Sequence, residues 1–254
     1  MRCGHLLAAD GVSGDLWLGT LVDAGAPLDA LQAAVDALGV APVRLAGERT
    51  TVHGLAATRV RVLVPDDAPS LPTWKALRGA LGASALDDTL RARASAVLRR
   101  LGDAEAVVHG TDLAHVRFHE LGHLDTLVDV VAAVAGLHEL RLEAVTCGAV
   151  AVGAGTVRGH HGVLPVPPPA VTQLLRGFVL HGGGRDRELT TPTGAALLAT
   201  LARPVDDLPP LRLERTARGA TGPPDGPSTS VLTLLVGDLV AGVSPPADGP
   251  HTAR

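Results

Sequence analysis

The stretch HVRFHELGHLDTLVDV, residues 115–130, changes from a strand-like to a helix-like pattern near its middle. In its first half Val116 and Phe118 alternate with polar residues, which predicts an extended segment whose polar side carries His119. After Gly122 the apolar residues recur at helical spacing, which predicts a buried helix. The stretch therefore predicts a strand end that faces the first turn of a core helix.

Four polar side chains lie at this change of pattern. His119 and Glu120 end the extended segment, whereas Asp125 opens the helix near its positive dipole end. Asp129 follows one helical turn later on the same face. Two carboxylates and an imidazole could converge there on a divalent cation. A solvated turn before an ordinary acidic first turn would give the same pattern, so the spacing alone leaves both interpretations open.

The composition argues against several classes of function. A chain of 254 residues with 46% hydrophobic residues is long enough and apolar enough to bury a core. Its formal net charge of -4 and pI near 6.2 offer no attraction for nucleic acid or an anionic membrane, so we expect neither partner. Aromatic residues make up 2% of the chain and Tyr is absent, which argues against base-stacking surfaces.

The two cysteines, Cys3 and Cys147, are far apart in sequence and neither belongs to a C-x-x-C pair. They are expected to be small buried residues rather than a disulfide or a zinc site. No apolar stretch reaches the length of a membrane span, and the N-terminus lacks the pattern of a secretory signal. The expected location is the cytoplasm.

The rest of the chain predicts one large α+β domain over 1–243, a mixed sheet with helices packed on it, followed by a disordered tail over 244–254. Two strands joined near His53 and Gly54 have the pattern of an antiparallel hairpin. The segment 153–169 is rich in Gly and Pro and is expected to be a long connection. The predicted strands cover 3–10, 43–52, 55–64, 143–153, 178–181 and 231–240. The predicted helices follow residue 13 and cover 27–38, 74–81, 87–106, 124–140, 170–176 and 194–202.

Two turns between a strand and a helix are candidate anion sites. Gly11-Val12-Ser13-Gly14-Asp15 and Thr190-Thr191-Pro192-Thr193-Gly194 both place small or hydroxyl residues beside the free amides of a helix start. Phosphate or carboxylate binding would suit either turn. Ordinary helix capping is the alternative, and it is favoured for the first turn and not distinguishable for the second.

A stiff loop, HHGVLPVPPP over 160–169, is a third candidate. Extended, proline-rich loops inside a compact domain often line a binding site. Adjacent histidines point to opposite sides of an extended chain, so we expect only one of them in a site. The alternative is a rigid connection whose imidazoles face solvent.

Taken together, four segments resemble the LarC family in the same order and with similar separations. The segments are GVSGDLWLGTLVDAG at 11–25, FHELGHLDTLVDVV at 118–131, HGVLPVPPPA at 161–170 and ELTTPTGAALL at 188–198. LarC proteins insert nickel into a pyridinium bisthiocarboxylate mononucleotide to complete the nickel-pincer nucleotide cofactor, in a reaction that consumes CTP. The resemblance covers the N-terminal domain of that family only.

The resemblance implies a role for each candidate residue. Nickel would be a substrate metal that passes to the sulfur ligands of a mononucleotide, as a nickel chelatase or cyclometallase of the lyase class requires. CTP with its divalent metal would require a separate C-terminal-domain partner protein. The implied metal ligands are His119, Glu120 and Asp125. The implied catalytic residues are Asp15, Asp125 and Asp129. The implied substrate-binding residues are Ser13, Gly14, His161, Thr191 and Thr193.

The chain departs from the family pattern at several candidate ligand positions, which here are Leu7, Leu71, Pro72 and Arg117. His115, on the same predicted strand face as His119, and His123 are candidate replacements. Two hypotheses follow. The chain is either the nickel-handling part of a split insertion system, which we favour, or a diverged binding or scaffold protein that keeps the fold without handling nickel.

Overall fold

The computed structural model describes residues 1–118, 124–223, 226 and 228–240. The predicted metal ligands His119 and Glu120, the candidate replacement His123 and the predicted tail 244–254 lie outside the described residues. In the described part of the chain, no helix is long and apolar enough to cross a membrane.

Helices and strands alternate along the described chain. The α-helices are α1 (Gly14–Asp23), α2 (Leu28–Asp36), α3 (Trp74–Ala83), α4 (Asp88–His109), α5 (Leu124–Glu139), α6 (Pro169–Leu174) and α7 (Pro192–Leu201), with a 3-10 helix at Leu113–His115. The strands are β1 (Arg2–Ala8), β2 (Arg44–Val52), β3 (Leu55–Leu63), β4 (Ala144–Ala151), β5 (Thr156–Gly159), β6 (Gly162–Pro165), β7 (Leu180–His181), β8 (Arg203–Pro204), β9 (Leu211–Thr221) and β10 (Ser230–Leu239).

The main sheet is mixed, as the sequence predicts. Its strand order is β2-β3-β9-β10-β1-β4-β7, and β8 pairs with β4 at the side of β7. The pairs β2 with β3, β9 with β10 and β1 with β10 are antiparallel, whereas β1 and β4 are parallel. Strands β5 and β6 form a separate antiparallel hairpin. The α+β fold class is therefore confirmed.

The helices form a layer on the sheet, with α5 in its middle. Helix α1 packs on β3, β9 and β10, and α5 contacts α1, α2, α4 and α7. From Thr126 to Leu137 every residue of α5 is buried except Asp129, which is partly exposed as a residue but has its Oδ1 shielded from solvent. A helix that is apolar on all sides belongs in a core, and a carboxylate on such a helix is unfavourable unless something compensates for it. Asp129 is therefore a residue that the fold alone does not explain.

Two glycines let α1 lie close to the sheet. A Cβ added to Gly19 would overlap the Thr58 carbonyl oxygen, and one added to Gly219 of β9 would overlap the Leu16 carbonyl oxygen. Neither position can hold a larger residue without moving the helix. This close approach fixes the start of α1 relative to the ends of β9 and β10.

The structure differs from the sequence prediction in several places. The segment before residue 119 is not a strand, because His115 ends the 3-10 helix and Arg117 makes a single bridge with Thr73. His115 is exposed, so the strand face predicted for it does not form. The buried positions of Val116 and Phe118 were predicted correctly.

The other differences are strands that the sequence did not predict. The two-residue strand β8 pairs with β4. The proline-rich connection contains the hairpin β5–β6. Strand β9 lies in the middle of the sheet, although residues 212–216 are all exposed and polar residues dominate them. Its pattern is strand-like only near its end, where Ala217 and Gly219 are buried under α1.

Candidate functional site

The two turns predicted as separate anion sites lie against each other. The Val12 amide donates to the Leu189 carbonyl at 3.1 Å, and the Thr191 amide donates to the Val12 carbonyl at 3.0 Å. The hydroxyl of Thr190 also accepts from the Val12 amide at 3.2 Å. The starts of α1 and α7 are therefore neighbours, although the turns lie 178 residues apart in sequence at the Val12 and Thr190 contact.

The turn before α7 uses its polar groups internally. Thr191 is the N-cap, and its hydroxyl accepts from the Gly194 amide at 3.3 Å. The buried Thr190 donates to the Ala151 carbonyl at 2.7 Å, and Thr193 is also buried. A Cβ on Gly194 would overlap the Val12 carbonyl oxygen. These contacts give the turn a structural function whatever it binds.

The turn before α1 is arranged differently. Ser13 is the N-cap but makes no hydrogen bond to a helix amide, because its hydroxyl donates to Asp15 Oδ1. The hydroxyl of Thr221, at the end of β9, donates to Asp15 Oδ2. Asp15 is thus held by one hydroxyl on each oxygen at the positive end of α1, where the helix dipole favours a carboxylate.

Asp129 approaches the same turn from α5. A Cβ on Gly14 would overlap Asp129 Oδ2, so only glycine leaves room for this carboxylate. Its other oxygen, Oδ1, is shielded from solvent and has no hydrogen-bond partner in the described structure. Burial raises the pKa of Asp129 well above its usual range, and the negative charges of Asp15 and Asp125 raise it further.

We call Asp15, Asp125 and Asp129 the acidic cluster. Asp125 is exposed, and its Oδ1 accepts from the Thr126 amide at 2.7 Å. Among the described residues no three His, Cys, Asp or Glu side chains stand in a metal-binding arrangement. The negative charges of the cluster can attract a divalent cation. A complete coordination shell would require ligands in addition to these three carboxylates.

Two cavities lie beside the acidic cluster and share Val62 of β3. One, of about 450 Å³, is lined by Asp15, Thr221 and the segment 59–63. The other, of about 370 Å³, is lined by Asp125 and by residues of the loop after β3 between Pro65 and Ser70. Both volumes fall in the range of small-molecule sites.

Arg59 and Arg61 belong to the segment of β3 beside the first cavity, and their side chains lie with Glu48 on the sheet face opposite that of the buried Val60. Arg59 lies 3.0 Å from Glu48 and also donates to the Gly222 carbonyl. Arg61 lies 3.8 Å from the same carboxylate, and 60% of its side chain is exposed. The signal for this pair was their spacing of two in a strand, which places both on one face.

His161 lies outside both of these cavities. It sits in the turn between β5 and β6, with its ring centre 4.9 Å from that of His109 and 5.7 Å from that of His160. His109 is the last residue of α4, and its Nε2 lies 3.4 Å from Glu105 Oε2. The predicted substrate-binding role of His161 therefore requires substrate to reach this hairpin.

The structure thus brings together Ser13, Gly14, Asp15, Asp125 and Asp129, and it places Thr191 and Thr193 in the adjoining turn. His119 and Glu120 are outside the described residues. At the positions where the sequence departs from the LarC pattern, Leu71 is buried in the core and Leu7 is exposed.

The relatives found by comparison with known proteins are named as nickel insertion proteins. The chain is 48% identical over 230 residues to a pyridinium-3,5-bisthiocarboxylic acid mononucleotide nickel insertion protein from Nocardioides sp., covering 91% of this chain and 58% of the relative. A protein of the same name from Desulfitobacterium hafniense is 36% identical over 239 residues, covering 94% of this chain and 59% of the relative. The chain spans about three-fifths of the length of these relatives. No solved structure matches it.

The family model described as nickel insertion protein matches residues 6–247, which include every residue of the acidic cluster and both turns. This match agrees with the resemblance to LarC proteins found in the sequence. The chain therefore belongs to the nickel insertion protein family.

Proposed function

We propose that this chain inserts nickel into pyridinium-3,5-bisthiocarboxylic acid mononucleotide. The observation that carries the proposal is the acidic cluster at the start of α1, in a chain that the family model matches over residues 6–247. Two of the relatives are named for this reaction. The proposal assigns Ni²⁺ as a substrate rather than a resident cofactor.

The acidic cluster would collect the metal. Asp125 is exposed and can meet an incoming cation, while Asp15 and Asp129 lie behind it at the turn before α1. Since the charges of Asp15 and Asp125 disfavour a third negative charge on Asp129, a divalent cation would relieve this repulsion. Asp129 would then lose its proton and join the metal site.

Transfer to the substrate would follow from ligand preference. The thiocarboxylates of the mononucleotide offer sulfur ligands, which are softer than carboxylates. A site made of carboxylates and imidazoles therefore holds nickel only transiently. His119 and Glu120 are proposed as the remaining ligands, and Asp15, Asp125 and Asp129 as the catalytic carboxylates.

The substrate would extend from the acidic cluster along the neighbouring surfaces. Ser13 and Gly14 lie at the cluster itself, and Thr191 and Thr193 lie in the turn packed against it. His161 remains a proposed contact through the β5–β6 hairpin. We further propose that a separate C-terminal-domain partner supplies the CTP and divalent-metal site, and that the protein acts in the cytoplasm.

A second function is supported by the missing ligands. Leu7, Leu71, Pro72 and Arg117 cannot coordinate nickel as histidine or aspartate would. A binding or scaffold protein that keeps the cleft without handling nickel would tolerate such residues. The buried carboxylate of Asp129 argues against this alternative, because a core freed from metal chemistry would gain stability by losing that carboxylate.

An insertion assay tests the proposal. The purified chain is incubated with Ni²⁺ and the mononucleotide, with and without CTP and the C-terminal portion of a longer relative. We expect nickel incorporation that depends on this chain. We also expect His119→Ala to weaken nickel binding at least tenfold in calorimetry, about 1.4 kcal/mol. Failure to take up nickel at neutral pH, together with no incorporation, would favour the scaffold function.

A further inference from the structure

We propose that His109 and His161 form a reception site for Ni²⁺ that is separate from the acidic cluster. The two side chains, here called the imidazole pair, would each bind the cation through one ring nitrogen before it passes to the acidic cluster. This inference rests on the proposed function only for the identity of the cation. Its basis is the contact between the end of α4 and the β5–β6 hairpin.

The imidazole pair joins two parts of the chain that are distant in sequence. His109 is the last residue of α4, and His161 lies in the turn between β5 and β6. Their ring centres are 4.9 Å apart, and the ring planes are tilted by 45°. His161 is exposed and 25% of the His109 side chain is exposed, so a hydrated cation can reach both rings. Because no three described side chains form a metal-binding arrangement, the proposed site has two protein ligands, with water in the other positions.

Glu105 is the residue that orients the His109 ring. It lies one helical turn before His109, and its Oε2 is 3.4 Å from His109 Nε2. A histidine that binds a metal through one ring nitrogen commonly donates its other N–H to a carboxylate. Such a contact fixes the tautomer and makes the ligating nitrogen more basic. In the proposed site, Nε2 of His109 therefore donates to Glu105 and Nδ1 binds the metal.

The end of α4 is a favourable position for a cation. The C-terminus of a helix carries partial negative charge, and His109 ends this helix. The carboxylate of Glu105 lies one turn away. Imidazole nitrogen is a suitable ligand for nickel, and the neutral ring is the form that binds. With only two protein ligands, the imidazole pair would bind nickel more weakly than the acidic cluster, so transfer to the cluster would be downhill.

The packing of α4 places the imidazole pair near the segment that carries the predicted metal ligands. A Cβ on Gly102 would lie 3.6 Å from Cζ of Phe118, the residue just before His119 in the sequence. Gly102 and His109 are two helical turns apart on the same face of α4, a distance of about 10 Å. Nickel bound by the imidazole pair would therefore have a short path to that segment.

NMR spectroscopy of the histidine rings tests this site. Ni²⁺ is added in steps to the isotope-labelled wild-type chain, and the proton–nitrogen signals of the imidazoles are recorded. Paramagnetic nickel broadens the signals of its own ligands most strongly. We expect the signals of His109 and His161 to disappear at a lower nickel concentration than that of His138.

Single variants show whether the two rings bind one cation. His161→Ala is expected to raise at least tenfold the nickel concentration that removes the His109 signal, and His109→Ala should do the same to the His161 signal. His138→Ala is the matched control, because His138 is exposed and lies in the last turn of α5 as His109 does in that of α4. It should leave the response of both signals unchanged. The other histidine signals show whether each variant is folded.

Glu105→Gln tests the positioning role of the carboxylate. The ring nitrogen shifts of His109 report its tautomer, and we expect this variant to lose the preference for a proton on Nε2. Nickel broadening of the His109 signal should then require a higher nickel concentration. An unchanged tautomer would exclude Glu105 from the proposed site.

Two results would overturn the reception site. One is equal broadening of His109, His161 and His138. The other is broadening of His109 that persists unchanged in His161→Ala, since it would come from nickel bound elsewhere. The readout is also separate from insertion. An active insertion enzyme without a shared site at His109 and His161 overturns this inference alone, whereas nickel binding by the imidazole pair without insertion overturns the proposed function alone.

Discussion

The turns before α1 and α7 both place small or hydroxyl residues beside a helix start, but their side chains are arranged differently. Before α7, the Thr191 hydroxyl caps the helix by accepting from the Gly194 amide. Before α1, the Ser13 hydroxyl donates to Asp15 and caps nothing. Carboxylates occupy the space at this second turn instead, with Asp129 pressed against Gly14.

The turn before α7 has a structural role, whereas the turn before α1 is the one proposed to bind a ligand. A capped turn lowers the free energy of the fold by satisfying its own amides. At the turn before α1, the unpartnered Oδ1 of Asp129 raises the free energy of the fold, and a bound cation would offset that cost. The turn before α7 therefore positions the turn before α1, and the turn before α1 is where nickel is proposed to bind.

The largest effect is expected from Gly14→Ala. The new methyl group would overlap Asp129 Oδ2, so either the carboxylate or the start of α1 must move. Overpacking of this kind destabilises a protein by about 1–3 kcal/mol. We expect a loss in that range in chemical denaturation, together with at least a tenfold loss of nickel affinity.

Gly79→Ala is the control for that variant. Gly79 lies inside α3, and nothing lies within 4 Å of an added Cβ. Since Ala is the better helix former, this variant should gain about 0.5–1 kcal/mol and bind nickel as the wild type does. Nickel binding by Gly14→Ala at wild-type strength would show that the contact between the turn and Asp129 is unimportant.

Asp129→Asn should stabilise the metal-free protein at neutral pH. Burial and the charges of Asp15 and Asp125 raise the native pKa of Asp129 well above its ordinary value of 3.8, so between the two pKa values the native state holds a proton that the unfolded chain has lost. As pH rises through the interval between these two values, stability falls because the unfolded state binds fewer protons. An amide at this position does not titrate and removes that pH dependence.

Urea denaturation of wild type and Asp129→Asn from pH 4 to pH 8 measures this effect. The difference in stability between the two proteins should grow with pH and favour the variant. Nickel affinity should fall in the same variant, because the amide cannot become anionic. A variant that is less stable than wild type at every pH would mean that Asp129 supports the fold.

The smallest effect is expected at the caps. Thr191→Ala removes a hydroxyl that caps a helix, which typically costs ~1 kcal/mol, whereas Ser13→Ala removes a hydroxyl that caps none. Denaturant midpoints of the two variants should therefore differ, with Thr191→Ala the less stable. Equal losses would contradict the distinction between the two turns.

Local patterns were sufficient to predict much of the fold. The hairpin β2–β3 was predicted from alternation and a His-Gly turn, and the core helix α5 from helical spacing. A separation of four residues predicted that Asp125 and Asp129 lie on the same side of helix α5. Each of these features depends on residues that are close in sequence.

The remaining features of the site depend on long-range contacts. Thr221 reaches Asp15 across 206 residues, and Asp129 reaches Gly14 from another helix. Strand β9, which carries Thr221, escaped prediction because exposed polar residues fill most of one half of it.

Nickel calorimetry on wild type, Asp125→Asn and Asp29→Asn tests the central claim most directly. Asp29 is an exposed acid in the first turn of α2 and therefore controls for the helix dipole, which contributes ~0.3–1 kcal/mol. We expect stoichiometric nickel binding by wild type and Asp29→Asn, and at least tenfold weaker binding by a folded Asp125→Asn. Equal nickel binding by all three proteins, or none by any, would contradict this expectation.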